Sequence, residues 1–313
     1  MFRSFAAVAL ALVSSLAAQT ALAQGFPSKP TKIIVPFPAG GLLDGVARIT
    51  SAKLAETSRQ TVLVENKPGA GGTLGAAAAA TAAADGQTIL LVLDTHAINH
   101  HLYAKLTYDP FKSFEHVTQL LSSPQLIAAT LNFQPSSLKE LIAYAKSKPG
   151  ELSYGSIGTG SANHLNALLL EQHAGIKMLH IPYKGGAPML QDLIGGQINI
   201  SFVAAPSTIG HIKGGRMKAL AAGTPQRLPQ LPDTPTIGET IPGFVAASWI
   251  GVLVPTGTPK PLIGDIHAAY AKVMADADVK AKLTAQGFDI VGSSPEQFLG
   301  FVREQSDKLG KVI

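Results

Sequence analysis

The chain has 313 residues, with 25 Lys and Arg against 20 Asp and Glu, nine His, 31 Gly, 21 Pro and no Cys. Hydrophobic residues make up 46% and charged residues only 14%, which excludes a disordered chain, because disorder needs low hydrophobicity and high charge. The lack of Cys excludes a disulfide scaffold, a thiolate metal site, a Cys nucleophile and a lipid-anchored cysteine. A net charge of +5 is spread along the chain without a dense Lys/Arg run, so no surface for nucleic acid is expected.

The first segment reads as an address. Arg3 supplies a positive start, residues 5–16 are almost wholly apolar, and Ala21-Leu22-Ala23 places small residues at a cleavage site before Gln24. These are the marks of a secretory signal peptide over residues 1–23. The apolar core is shorter than the roughly 20 residues of a membrane span and ends in Ser14-Ser15. The mature chain, from residue 24 onward, is therefore expected to be exported and free in the periplasm.

Residues 32–37 (KIIVPF) form a short apolar run bounded by Pro30 and by Pro38-Ala39-Gly40-Gly41, which predicts a buried strand followed by a turn. Leu43, Val46, Ala47, Ile49, Ala52 and Leu54 then recur at helical spacing. Residues 61–65 predict a second strand, 74–84 an Ala-rich helix and 88–93 (TILLVL) a third strand. Further helices are predicted over 136–146, from about 162, and over 188–194, 205–213, 262–275 and 295–309. Strands are predicted over 152–154, 177–181, 197–202, 217–222 and 246–254. Continuous apolar strands alternating with helices imply mostly parallel sheets covered on both faces. Two α/β lobes fit this length better than one sheet of ten or more strands.

Catalytic motifs are absent. Gly69-Ala70-Gly71 and Gly158-Thr159-Gly160 both miss the third glycine of a dinucleotide fingerprint, and Lys184-Gly185-Gly186 has its Lys on the wrong side for a phosphate loop. No Ser stands between the spaced glycines of a nucleophile elbow. Only His96 and His100 among the nine His have helical spacing, and two imidazoles without a third ligand do not make a metal site. His96 is expected to hydrogen-bond the backbone or a ligand. No catalytic residue, metal or cofactor is expected.

What remains is a pair of glycine loops that open helices: Phe37, Ala39, Gly40, Leu42, Leu43 and Asp44 in the first, and Gly158, Thr159, Gly160 and Ser161 in the second. At such points unpaired N–H groups and the positive end of a helix face outward together, a ready carboxylate site.

Several stretches taken in order resemble one family. They are Ile33–Gly41 (IIVPFPAGG), Val64–Gly72 (VENKPGAGG), Thr95-His96-Ala97-Ile98-Asn99, Pro182-Tyr183-Lys184-Gly185, His211-Ile212-Lys213-Gly214-Gly215 and Pro255–Lys260 (PTGTPK). The chain resembles the Bug-type receptors, the solute-binding proteins of tripartite tricarboxylate transporters. The resemblance implies a Venus-flytrap architecture, with lobe one over 24–124 plus 247–313 and lobe two over 125–246. It also implies a monomer that carries a small carboxylate to membrane permease subunits. Phe37, Ala39, Gly40, Asp44, Thr95, Thr159, Gly160 and Ser161 carry over as ligand-binding positions, with the two loops opposed across the cleft.

The departures from the family pattern concern the ligand. Leu42-Leu43 stands where many members have a small residue and Ser or Thr, and Val203-Ala204 stands where they often carry an Asp. Without that carboxylate a buried ammonium has no partner, which is costly. The expected ligand is thus an aliphatic dicarboxylate or an aromatic acid rather than an amino acid. Leu42-Leu43 could equally begin the buried face of its helix. The competing readings are an exported hydrolase or isomerase, which would lose turnover on changing Ser161 or His96, and the ligand-capture partner of a sensor kinase.

Overall fold

The computed structural model describes residues 26–310; the expected signal peptide lies outside them. The first half runs β1 (Thr31–Val35), α1 (Leu42–Ser58), β2 (Val62–Asn66), α2 (Thr73–Ala80), β3 (Thr88–Leu93) and α3 (Thr95–Leu102). A 16-residue strand, β4 (Phe114–Ala129), leads to α4 (Leu138–Ser147), β5 (Ser153–Ser156), α5 (Ala162–Ala174), β6 (Leu179–Pro182), α6 (Gly186–Ile194), β7 (Ile200–Ala204), α7 (Ala205–Lys213) and β8 (Lys218–Ala222). The chain then returns through β9 (Ala247–Pro255) to α8 (Lys260–Ala275), α9 (Ala277–Ala285), β10 (Asp289–Ile290) and α10 (Pro295–Gly310).

One sheet has the order β2-β1-β3-β9-β4 with β10 also on β4, and the other has the order β4-β7-β5-β6 with β8 also on β4. In each, three strands are parallel: β2, β1 and β3 in the first and β6, β5 and β7 in the second. β4 and β9 join them antiparallel. The sheets are mixed, because the strands that cross between lobes must run out and back. Every residue of β3 is buried, as a strand covered on both faces requires. Val35, Leu43, Val46 and Leu54 pack with Ile266 and Tyr270 on one face of the first sheet. Ala76, Ile98, Trp249 and Phe298 cover the other. The second sheet is sandwiched likewise, with Leu141, Leu170 and Phe202 on one side and Met189, Val203 and Ile209 on the other.

The two lobes are not separate sheets. β4 pairs with β9 up to Pro124 and with β7 and β8 from Gln125 and Leu126 on, so ten strands are continuous through it. Pro124 stands where the strand leaves one sheet for the other, a position that tolerates its missing N–H. Beside it, Gln125 N–H donates to Ala246 O at 3.1 Å, Gly223 N–H to Gln125 O at 2.7 Å and Ala246 N–H to Gly223 O at 2.8 Å. A methyl group on Gly223 would lie 2.9 Å from Gln125 O and closer still to Ala246 O, both backbone atoms that cannot swing aside. Gly223→Ala is expected to destabilise the fold by about 2 kcal/mol, as overpacking does. An unchanged urea midpoint would show that the crossover has slack.

No helix among the described residues is long and apolar enough to cross a membrane.

Candidate functional site

Three helices begin on one cleft without a side-chain cap. The residue before α1 is Gly41, before α6 Gly185 and before α7 Ala204, and none offers a side-chain acceptor to its helix. All three line a cleft of about 460 Å³ between the sheets. The first-turn N–H groups of a helix have no partner in the helix itself, and they carry its positive partial charge. Elsewhere Asp94 accepts from Thr95 N–H, Ser137 from Glu140 N–H and Ser161 from His164 N–H, whereas α2 and α8, which follow Gly72 and Pro259, start uncapped away from this cavity. Only α1, α6 and α7 bring uncapped starts together on the cleft among the described residues.

The walls are apolar where they face each other, through Phe37, Leu42, Leu43, Leu93, Ile157, Met189, Leu190 and Val203. Gln125, Asn163, Ser207, His211, Ser248 and Gln286 supply the polar side chains, and no Asp, Glu, Lys or Arg lines the cleft among the described residues. A carboxylate here would meet helix ends rather than a counter-charge. A Cβ on Gly185 would stand 3.5 Å from the Pro38 ring, so the β1–α1 and β6–α6 turns nearly touch across the opening. A wider groove of about 640 Å³, lined by Lys146, Gly175 and Lys177, lies at the carboxyl ends of α4 and α5, where the helix field disfavours anions.

Phe37, Ala39, Gly40, Leu42, Leu43, Val203 and Ala204 line the cleft. Leu43 serves twice, since it also belongs to the buried core. Asp44 turns away from it. Its carboxylate accepts from Gly40 N–H at 2.9 Å, from Arg48 Nε and Nη2 at 2.9 and 3.0 Å, and from Asn66 Nδ2 at 3.0 Å. Burial raises its pKa, but Arg48, Gly40 and Asn66 together hold it below the usual carboxylate range. Asp44 therefore shapes the turn that carries the open end of α1.

Thr95 and His96 sit behind Phe37, around a void of about 10 Å³. His96 Nε2 lies 3.2 Å from Pro110 O, and the ring packs on Tyr108 and Phe114. Gly158, Thr159, Gly160 and Ser161 lie outside the cleft cavity. Ser161 Oγ donates to Gly158 O at 2.7 Å while capping α5, and Gly160 N–H donates to His164 Nδ1 at 3.1 Å. Gly160 has φ +79°, and a Cβ there would overlap the Leu102 side chain of α3. This loop packs on the first lobe beside the cleft, and its Gly158, Gly160 and Ser161 N–H groups donate to Ser156 Oγ, His164 Nδ1 and Gly158 O.

Asp94 is buried where the lobes meet. Ser248 Oγ donates to it at 3.0 Å and Thr95 N–H at 2.9 Å. Burial pushes its pKa up to about 6, opposed by the Ser248 hydroxyl and by the Thr95 and Ala162 N–H groups, so it is ionised at neutral pH. His211 is held below its ordinary value by burial and then by Arg216.

The wall formed by Gly185, Gly186 and Pro188, and the floor formed by Gln125, Asn163 and Ser248, were not anticipated. The wall had a signal: Gly185-Gly186 directly precedes a helix and provides no cap. The floor had none, since Gln125 reaches the cleft only through the long-range pairing of β4.

A two-lobed α/β fold with helix starts facing an interlobe cleft defines a solute-binding receptor of the periplasmic binding protein class. Residues 46–313 match the model of TctC, the tripartite tricarboxylate transporter family receptor, and the chain belongs to that family. BugT of Bordetella pertussis is 31% identical over 316 residues, covering all of this chain and 97% of the relative. Rpa4515 of R. palustris, solved with adipate, superposes with a TM-score of 0.88 at 32% identity, covering 92% of this chain and 97% of that one. MatC of Rhodopseudomonas palustris, solved with bound malate, gives 0.85 at 32% identity, covering 92% and 99%. The family consists of receptors, not enzymes, and this chain is a Bug-type member.

Proposed function

We propose that this receptor captures a small carboxylate with an apolar body in the cleft and delivers it intact to the membrane permease subunits of a tripartite tricarboxylate transporter. It acts as a periplasmic monomer, with lobe one over 24–124 plus 247–313 and lobe two over 125–246. The observation that carries this reading is the convergence of three uncapped helix starts on a cleft with no charged side chain. Such an end stabilises an anion through N–H donors and its dipole, and the apolar walls suit an aliphatic or aromatic framework. The adipate and malate held by two relatives are of the same class. With Ala204 in place of an acidic residue, the cleft offers no counter-ion to an ammonium, so aliphatic dicarboxylates and aromatic acids are preferred to amino acids.

A thermal-shift panel of carboxylates tests this. A ligand at 100 times its Kd is expected to add about 2.7 kcal/mol of apparent stability, with the acid recovered unchanged. A response confined to aspartate or glutamate would overturn the assignment.

A further inference from the structure

The floor of the cleft has a donor–acceptor pattern of its own, fixed by bonds made on the far side of each group. Gln125 Oε1 accepts from Asn166 Nδ2 at 2.7 Å, which leaves its NH2 toward the cleft. Asn163 Nδ2 donates to Phe202 O, which leaves its Oδ1. Ser248 has one proton and gives it to ionised Asp94 at 3.0 Å, which leaves only lone pairs. No other hydrogen bond to these three free ends is made among the described residues, and all three side chains are under 9% exposed.

The floor thus presents one donor, the Gln125 amide, and two acceptors, Ser248 Oγ and Asn163 Oδ1. A carboxylate can answer only the donor, and a C–H group answers none of them. A hydroxyl answers both kinds at once, accepting from Gln125 and donating to Ser248 or Asn163. We propose that this floor reads a hydroxyl group on the bound acid, with Ser248 as the acceptor and Asp94 as the positioning residue that keeps it one. The inference rests on the carboxylate reading above and narrows it to hydroxy acids. Buried polar groups left unpaired by an analogue that lacks the hydroxyl make such a site selective.

Titration calorimetry on matched pairs tests it: malate against succinate, 4-hydroxybenzoate against benzoate, and 6-hydroxyhexanoate against hexanoate. At least one hydroxy acid is expected to bind wild type about 10-fold or more tightly than its partner. Ser248→Ala is expected to bring that ratio below about 3-fold, chiefly by weakening the hydroxy acid. Ser248→Thr, which keeps a hydroxyl, is expected to restore the preference. Ratios near one for every pair on wild type would overturn the inference and leave the carboxylate reading standing, as would a preference that survives in Ser248→Ala. The wild-type ratios decide even if the variants fold poorly. Failure of all six acids to bind would overturn both readings.

Discussion

Lowering the pH from 6.5 to 5 is expected to reduce the unfolding free energy by about 3 kcal/mol. Most of the loss comes from a pair of histidines folded into the core as neutral rings, and a smaller share from the partly buried His164, which burial and then His180 hold down at about 4. Burial, then the proximity of His100, holds His96 down at about 4, and burial, then the charges of His96 and Arg303, holds His116 at about 3. They are 2% and 6% exposed, and His96 Nδ1 and His116 Nε2 have no partner. In the unfolded chain both protonate near pH 6.5, whereas in the fold they do not until far lower. Their stabilisation is therefore complete above 6.5 and lost as pH falls, at about 1.4 kcal/mol per pH unit each. Asp94 acts in the opposite direction. Because its folded pKa is raised to about 6, it takes a proton in the fold before the unfolded chain does, returning about 1 kcal/mol by pH 5. Carboxylates with lowered pKa, such as Asp44, give up their contribution only below this window. Urea midpoints at the two pH values check the result. His116→Leu, which loses an edge contact with Phe298 but no hydrogen bond, is expected to reduce the acid loss to about 1 kcal/mol. An equal loss in the variant would place the sensitivity elsewhere.

Ala204→Asp is expected to weaken carboxylate binding by about 100-fold or more while making the empty protein more stable. Ala204 has extended backbone dihedrals ahead of α7 and no side-chain acceptor. An Asp is a favoured residue at that position, and capping is worth about 1 kcal/mol. The new carboxylate would take up first-turn N–H groups of α7 and put a negative charge into the cleft that Ala204 lines. Two like charges about 6 Å apart repel by about 3 kcal/mol at the effective dielectric of such sites, which corresponds to about two decades of affinity. Ala204→Asn caps without charge and is expected to lose only about 10-fold. Because stability and affinity move in opposite senses, unfolding cannot imitate the outcome. Wild-type affinity in Ala204→Asp would mean that α7 takes no part in binding.

Much of the architecture was legible from apolar spacing. The bounds of β3 and α7 coincide with the runs read as strand and helix, and most other elements shift by one to three residues. β4 was missed because FEHVTQLLSSPQLIAA has no period: it is buried on both faces and broken by Ser, Gln and Pro. α3, α9 and β10 were also missed; the last two lie between the two long helices that close the chain. Within the site, the first glycine turn was readable and the partner loop was not. Both candidate loops are Gly-rich ahead of a helix, but Ser161 is itself a good cap and closes its helix end. Gly185 cannot do so and leaves its own open. Reading the residue just before each helix, rather than glycine content, separates the two.

Because β4 supplies backbone partners to both sheets, neither half of this molecule is a self-sufficient fragment. Cutting the chain near Pro124 would strip β9 of one neighbour and leave β7 and β8 with raw edges. Domain-swapping schemes that treat the lobes as interchangeable cassettes must therefore carry the whole strand with one side and rebuild its pairing on the other.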